Sequence, residues 1–343
     1  MGARRFLQPG WIMLALAAAL GVVDRPLGLG LLDPMRGVLV FALLGLGLNV
    51  VTGFTGLLHL GMAAFMALGA YAFAIGTCDI YPFQLGFWPA LGVTAVVGAL
   101  AGFLLGAPTL GLRGDYLAIV TLGFGEIVQD AMKNLDAITK GTQGINPLPP
   151  PSVPFVGEFG ADERPWYWLF LAITALAVVA CRNLERSRTG RAWLAVREDE
   201  LAASCMGITP IPTKMYAFAT GAALAAVAGG LWASLYASTG EPGNYDFQVS
   251  ILALCIVIVG GMGSIDGVLV GALAMIGIAN IALPKVASWM QQKGLVNASN
   301  VLGSPNNWKY LVFGVVLVVM MRVRPDGLLP ARLQRRGAAG GAA

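Results

Sequence analysis

Apolar runs long enough to cross a bilayer recur along most of this chain, and they restrict its fold more than any motif does. A helix needs roughly 20 predominantly apolar residues to span the hydrocarbon core. Segments near 10–31, 36–51, 58–77, 86–106, 115–133, 165–181, 213–238, 248–262, 266–283 and 308–323 meet or approach that length. The pattern predicts an all-α polytopic membrane protein, a single transmembrane domain over 1–343 with about ten transmembrane helices, or as few as about eight because several runs are short or broken by glycine. Only 12% of the 343 residues are charged, against about 25% in a soluble domain. Such a chain lacks the charge to cover a water-facing surface, while its 46 glycines suit membrane helices better than soluble ones.

Basic residues orient the spans. Arg182, Arg186, Arg188, Arg191 and Arg197 fall in 182–212, and Arg322, Arg324, Arg332, Arg335 and Arg336 follow the last apolar run. Placing both clusters in the cytoplasm puts both termini there and the proline-rich stretch 134–164, with Pro147 and Pro149 to Pro151, outside. Arg4 and Arg5 precede the first run, but no small-residue cleavage site ends it, so it reads as an uncleaved first helix. Residues 331–343 read as a disordered tail.

Several chemistries are excluded. Cys78, Cys181, Cys205 and Cys255 form no CxxC pair, and His59 is the sole histidine, so no metal site and no cofactor is expected. No GxxxxGK followed by Ser or Thr occurs, so the chain has no P-loop to hold nucleotide phosphates. An integral membrane enzyme would need convergent nucleophiles or carboxylate and histidine ligands that this sequence does not offer.

Three places break the smooth apolar pattern. In 45–61, GLGLNVVTGFTGLLHLG, Asn49, Thr52 and His59 sit among glycines that include Gly53 and Gly56; 259–267, VGGMGSIDG, holds Gly260, Gly261 and Gly263. Glycine-interrupted segments in both halves of a transporter point to a solute site, and short turns at the inner face are the competing reading. The third break is Glu126 in LAIVTLGFGEIVQ, near Thr121. An ionisable group in a span costs on the order of 3 kcal/mol; it either lines a path or pairs with a polar group near the membrane edge. Asn49, Thr52, His59, Thr121 and Glu126 are the translocation-path candidates, and the five glycines named above are structural candidates. Gly221, Ala225 and Gly229 recur at four-residue spacing and imply close helix packing.

The polar stretch 182–214 is patterned. Residues 191–206 are good helix formers, Gly207 stands as a C-terminal stop, and Leu194, Leu201, Cys205 and Ile208 form one apolar stripe. The acidic run Glu198–Glu200 favours a protein groove over anionic lipid. Glu200, Ala202, Ala203 and Gly207 resemble the cytoplasmic coupling segment of ABC importer permeases, which docks on the ATPase subunit; the resemblance extends that role to Arg191, Arg197, Glu198 and Asp199.

Four blocks, LRGDYLAIVTLGFGEIV at 112–128, GRAWLAVREDE at 190–200, VGGMGS at 259–264 and RPDGLLP at 324–330, resemble the family of branched-chain amino acid ABC permeases. The resemblance spans about Asn49 to Pro330. It implies a non-enzymatic subunit in a bacterial inner membrane, working with a sister permease or second copy, two ATPase subunits and an external solute-binding protein, and importing leucine, isoleucine or valine. Two alternatives stay open: a urea or short-amide permease of the same superfamily, and an ion-coupled carrier acting alone through Glu126.

Overall fold

The computed structural model describes residues 9–27, 30–109, 115–153, 157–158, 163–293 and 308–330. The tail 331–343, with Arg332, Arg335 and Arg336, and the pair Arg4 and Arg5 lie outside these residues. Each of the ten apolar segments carries a helix. In chain order the α-helices among the described residues, including four outside those segments, are α1 (Pro9–Leu27), α2 (Leu32–Leu48), α3 (Met62–Thr77), α4 (Phe87–Thr109), α5 (Asp115–Asn134), the short α6 (Asp136–Thr139), α7 (Glu163–Arg186), α8 (Arg188–Glu198), α9 (Glu200–Cys205), α10 (Pro210–Leu235), α11 (Phe247–Gly260), α12 (Ile265–Gly277), α13 (Leu283–Gln292) and α14 (Lys309–Val323). Among the described residues six continuous stretches are long and apolar enough to cross a membrane: Leu32–Gly53, Phe87–Ala107, Arg164–Arg186, Pro210–Leu235, Pro242–Gly260 and Ile265–Met290. Pro9–Asp24 and Met62–Thr77 are apolar but shorter. The chain is a multi-pass membrane protein. Beside the helices there is a two-residue antiparallel pair, β1 (Ser152–Val153) with β2 (Gly157–Glu158), in the proline-rich connection.

α2 forms the centre. Leu43, Leu44, Leu46 and Leu48 are fully buried, and the helix packs against α7, α10, α11 and α12. A helix apolar all round belongs inside a bundle, which is where this one lies. On its flank α10 crosses α3 and α4 through small residues. A Cβ on Gly69 would stand 2.1 Å from the Ala226 carbonyl oxygen, and one on Gly229 would stand 1.9 Å from that of Met66. Gly221 meets the Gly47 backbone in the same way. Within a membrane no aqueous hydrophobic effect drives helices together, so such close backbone approach carries much of the packing energy.

Two helices change register. α2 runs into a π-helical turn at Asn49–Gly53, and α12 into another at Ile278–Ala282 before α13. Such turns are rare and gather at functional sites. Nothing in the residue types announced them.

The helices run alternately between two ends of the bundle. One end gathers the arginines of 182–197, the π turn of α2, the α11–α12 connection and residues 324–330. At the opposite end the proline-rich connection meets the loop after α10: the Thr239 hydroxyl accepts from the Ile145 amide at 2.8 Å, the Ile145 carbonyl accepts from the Thr239 amide, and the Leu148 amide donates to Ala237.

Candidate functional site

The polar segment after α7 is two helices, not the single helix expected over 191–206. The chain turns at Asp199, which adopts extended backbone and uses its Oδ1 to accept from the amides of Leu201 and Ala202 at 2.8 and 3.0 Å. An N-cap carboxylate satisfies orphan donors of a new helix, so Asp199 starts α9 instead of prolonging α8. Gly207 ends α9 as expected: its φ is +83°, its amide donates to Ser204, and the Ile208 amide reaches back to the Ala203 carbonyl at 3.1 Å, a Schellman closure. Ser187 opens α8 by accepting from the Gly190 amide.

The break redirects the apolar stripe. Leu194 packs against the core, whereas Leu201 is 75% exposed, Met206 83% exposed, and Ala202 and Cys205 are exposed. Ala203 is buried beneath them. α9 is therefore a short apolar knob projecting from the arginine-rich end. Its base is anchored: the buried Lys214 ammonium pairs with Glu200 Oε2 at 2.8 Å, and the fully buried Trp193 of α8 donates from Nε1 to the Thr213 carbonyl and stacks on Phe54. Glu198 and Arg191 are exposed; Arg191 donates to the Arg186 carbonyl.

Beneath the knob the glycine-rich segments meet. Arg197 Nη1 donates to the Gly53 carbonyl at 2.5 Å, and its aliphatic stem covers Gly56, whose φ is +72°. The buried Asn49 turns its Oδ1 to the Gly263 amide at 2.8 Å. Gly261, at φ +120°, ends α11, and the Leu328 and Leu329 amides donate to the Val259 and Gly260 carbonyls. Gly260 lies against Gly267, and Gly327 against Gly261, too close for any side chain. Three of the blocks singled out in the sequence, at 190–200, 259–264 and 324–330, thus form one packed cluster with the end of α2. Arg182 joins it from α7 by pairing with Asp266 and lying over the Trp11 ring.

The path candidates divide. Thr52 is buried, and its hydroxyl has no hydrogen-bond partner among the described residues. His59 is fully buried between Phe65 and Phe218; its Nδ1 accepts from the Gly61 amide, and its Nε2 has no partner among the described residues. Thr121 receives the Leu60 amide at 3.0 Å and is equally buried. Glu126 behaves differently. It is exposed on a face of α5 that also shows Tyr116, Ile119, Val120 and Ile127, and it makes no hydrogen bond or ion pair among the described residues. One turn on, Asp130 is exposed on the same face and pairs with Lys133, whereas Gln129 is buried and donates to the Pro242 carbonyl.

A separate cavity of about 590 Å³ opens at the opposite end, where Phe41, Trp232, Asp246, Asn280, Lys309 and Phe313 contribute to its wall. None of the path candidates lines it. Sequence reasoning missed Lys214, Asp266 and the inward role of Arg197. A lone lysine at the start of a span was the available signal for Lys214, but spacing alone names no partner.

Comparison with known proteins finds relatives over most of the chain. Residues 31–321 match the family model described as branched-chain amino acid transport system / permease component. The chain is 38% identical over 323 residues to the high-affinity branched-chain amino acid transport system permease protein LivM of Escherichia coli strain K12, covering 88% of this chain and 70% of that protein. It is 26% identical over 329 residues to the probable branched-chain amino acid transport permease protein LivM of Methanocaldococcus jannaschii, covering 85% and 91%. A 165-residue stretch is 30% identical to the permease protein LivH of Escherichia coli K12, covering 48% of this chain and 46% of that protein. No solved structure matches the chain. With a core of buried apolar helices, a capped knob at its arginine-rich end and a family match over most of its length, the chain belongs to the permease components of branched-chain amino acid transport systems.

Proposed function

We propose that this chain is the membrane-spanning subunit of an ATP-driven importer for leucine, isoleucine and valine in a bacterial inner membrane, with ten crossings and both termini in the cytoplasm. The observation that carries the mechanism is α9. An apolar surface held out from the arginine-rich end, capped at both helix ends and anchored by Lys214 and Trp193, suits a groove on a separate protein. Leu201, Ala202, Cys205 and Met206 are the docking face for an ATPase subunit. Arg191 and Glu198 flank it, while Asp199, Glu200, Ala203 and Gly207 build it. Two ATPase subunits, a sister permease or second copy and an external solute-binding protein complete the assembly.

The solute path runs along the outward face of α5. A carboxylate inside a span sits next to a cavity or a partner rather than acyl chains, and Glu126 makes no hydrogen bond or ion pair among the described residues. A second permease subunit packed against Tyr116, Ile119, Val120 and Ile127 would place Glu126 between the two copies. Asn49, Thr52, His59 and Thr121 are the packed wall behind that path.

The test is import into vesicles holding the whole complex. Labelled leucine, isoleucine or valine is expected to enter only with ATP, and urea is not. Uptake driven by an ion gradient in vesicles holding this chain alone would overturn the reading. Replacing Glu126 with Gln is expected to slow import roughly tenfold, the equivalent of about 1.4 kcal/mol in the path; unchanged rate and affinity would remove Glu126 from it. Converting Glu198, Asp199 and Glu200 together to Ala is expected to release the ATPase subunits on purification. The loss of the Asp199 cap alone costs about 1 kcal/mol of α9 stability.

A further inference from the structure

Three hydrogen-bonding groups at the arginine-rich end share an arrangement that docking alone does not require. Arg197 sits in the last turn of α8, one residue before Glu198 and the break at Asp199, yet it points away from the docking face and into the bundle. Its partner is the carbonyl of Gly53, the last residue of the π turn. A π turn leaves its register to be set by whatever holds it, because its ring of hydrogen bonds is wider than the α-helical one. Here the first residue of the same turn, Asn49, reaches through its side chain to the Gly263 amide in the connection between α11 and α12. Gly53 is fitted between the two bonds: a Cβ there would stand 2.1 Å from Asn49 Oδ1 and 2.6 Å from the Gly263 nitrogen.

We propose that Arg197, the Gly53 carbonyl and Asn49 form a relay, so that displacement of α8 by the ATPase subunits moves the end of α2 and the α11–α12 connection as one body. Arg197 and Asn49 are positioning residues in this account; neither touches solute or ATPase. The proposal rests on the reading of α9 as the docking knob, and it assigns the step after docking. Three features favour rigid transmission. Asn49 and Gly263 are buried, where a broken hydrogen bond leaves unsatisfied groups and is costly. The Arg197 bond is charge-assisted and short. On the far side, the α11–α12 connection is held again by the Leu328 and Leu329 amides, so motion delivered at Gly263 is not lost in a loose loop.

The experiment measures labelled leucine imported per ATP hydrolysed in vesicles holding the full complex, together with the amount of ATPase subunit that co-purifies. Arg197→Met keeps an unbranched stem in place of the arginine's aliphatic part and removes every donor. Its ratio of import to hydrolysis is expected to fall about tenfold, the equilibrium worth of one charge-assisted hydrogen bond, with the ATPase subunits still bound. Arg197→Lys retains an ammonium donor toward the Gly53 carbonyl and is expected to recover most of the ratio. Asn49→Leu and Gly53→Ala attack the second bond from its two sides and are expected to lower the ratio in the same way. Should those buried variants fail to fold, the Arg197 pair decides alone.

An unchanged ratio in Arg197→Met overturns the relay. Loss of the ATPase subunits from that variant, or a parallel fall of hydrolysis and import, also overturns it, because Arg197 would then serve docking. Equal defects in the Lys and Met variants overturn the role of the hydrogen bond. Failure of the unaltered complex to import with ATP is a different result, and it removes the proposed ATP-driven import itself.

Discussion

Replacing Gly229 with valine is expected to prevent the permease from reaching a stable folded state. The Cβ would stand 1.9 Å from the Met66 carbonyl oxygen and 3.0 Å from the Ala70 nitrogen. Both atoms belong to the backbone of α3, so no side-chain rotation relieves the clash. Overpacking a well-packed interior typically costs about 1–3 kcal/mol, and a β-branched group against main chain belongs at or above the top of that range. Gly69 makes the reciprocal contact with Ala226, so α3 cannot slide along α10 to escape. Gly92 on α4 is the control, because a Cβ there meets nothing within 4 Å. Size-exclusion profiles and thermal unfolding in detergent should show Gly229→Val aggregated or strongly destabilised and Gly92→Ala close to the unaltered chain. A Gly229→Val protein as stable as Gly92→Ala would mean that α3 and α10 do not pack as described.

The same contact illustrates what was readable without coordinates. Spans were legible because twenty-residue apolar runs have few other physical solutions in a chain this poor in charge. The spacing of Gly221, Ala225 and Gly229 announced close packing, though not that α3 was the partner, since a small-residue stripe carries no address. Gly207 was legible as a helix stop because a left-handed C-cap favours glycine for a local reason. Asp199 was not, and its capping turns one expected helix into two: aspartate is both a tolerable surface residue within a helix and a strong N-cap, and neighbouring packing decides between them. The convergence of Arg197, Gly53, Asn49 and Gly263 was the least legible feature. Each residue stood out in its own segment, but the segments lie far apart in sequence, and a hydrogen bond that Asn49 accepts from an amide over two hundred positions away leaves no local trace.

Glu126 shows the reverse. Its place inside the apolar run LAIVTLGFGEIVQ left open whether it lined a path or paired near the membrane edge, and the described residues supply no partner. The question therefore moves from this chain to its neighbour, and the importer as a whole becomes the object to measure.

Breaking the Arg182–Asp266 pair should destabilise the arginine-rich end more than any other single polar change there. Both side chains are largely buried, Arg182 also lies over Trp11 at 4.8 Å, and Gly10 of α1 leaves room for the pair, since a Cβ there would strike Asp266 Oδ1 and Arg182 Nη2. The pair thus pins α1, α7 and α12 at one point, α12 at its first turn. Removing one member of a buried ion pair strands the other charge and costs about 3–5 kcal/mol. Arg182→Met and Asp266→Leu are each expected to lose about that much in unfolding experiments in lipid discs. The double variant leaves no stranded charge, and replacing a whole buried pair by apolar groups is often neutral, so it should recover most of the loss. That inequality separates a desolvated ion pair from two unrelated packing defects, whose effects would simply add. An additive double variant would show that Arg182 and Asp266 act independently, and the placement of α12 would then rest on its glycine contacts with α11 at Gly260 and Gly267.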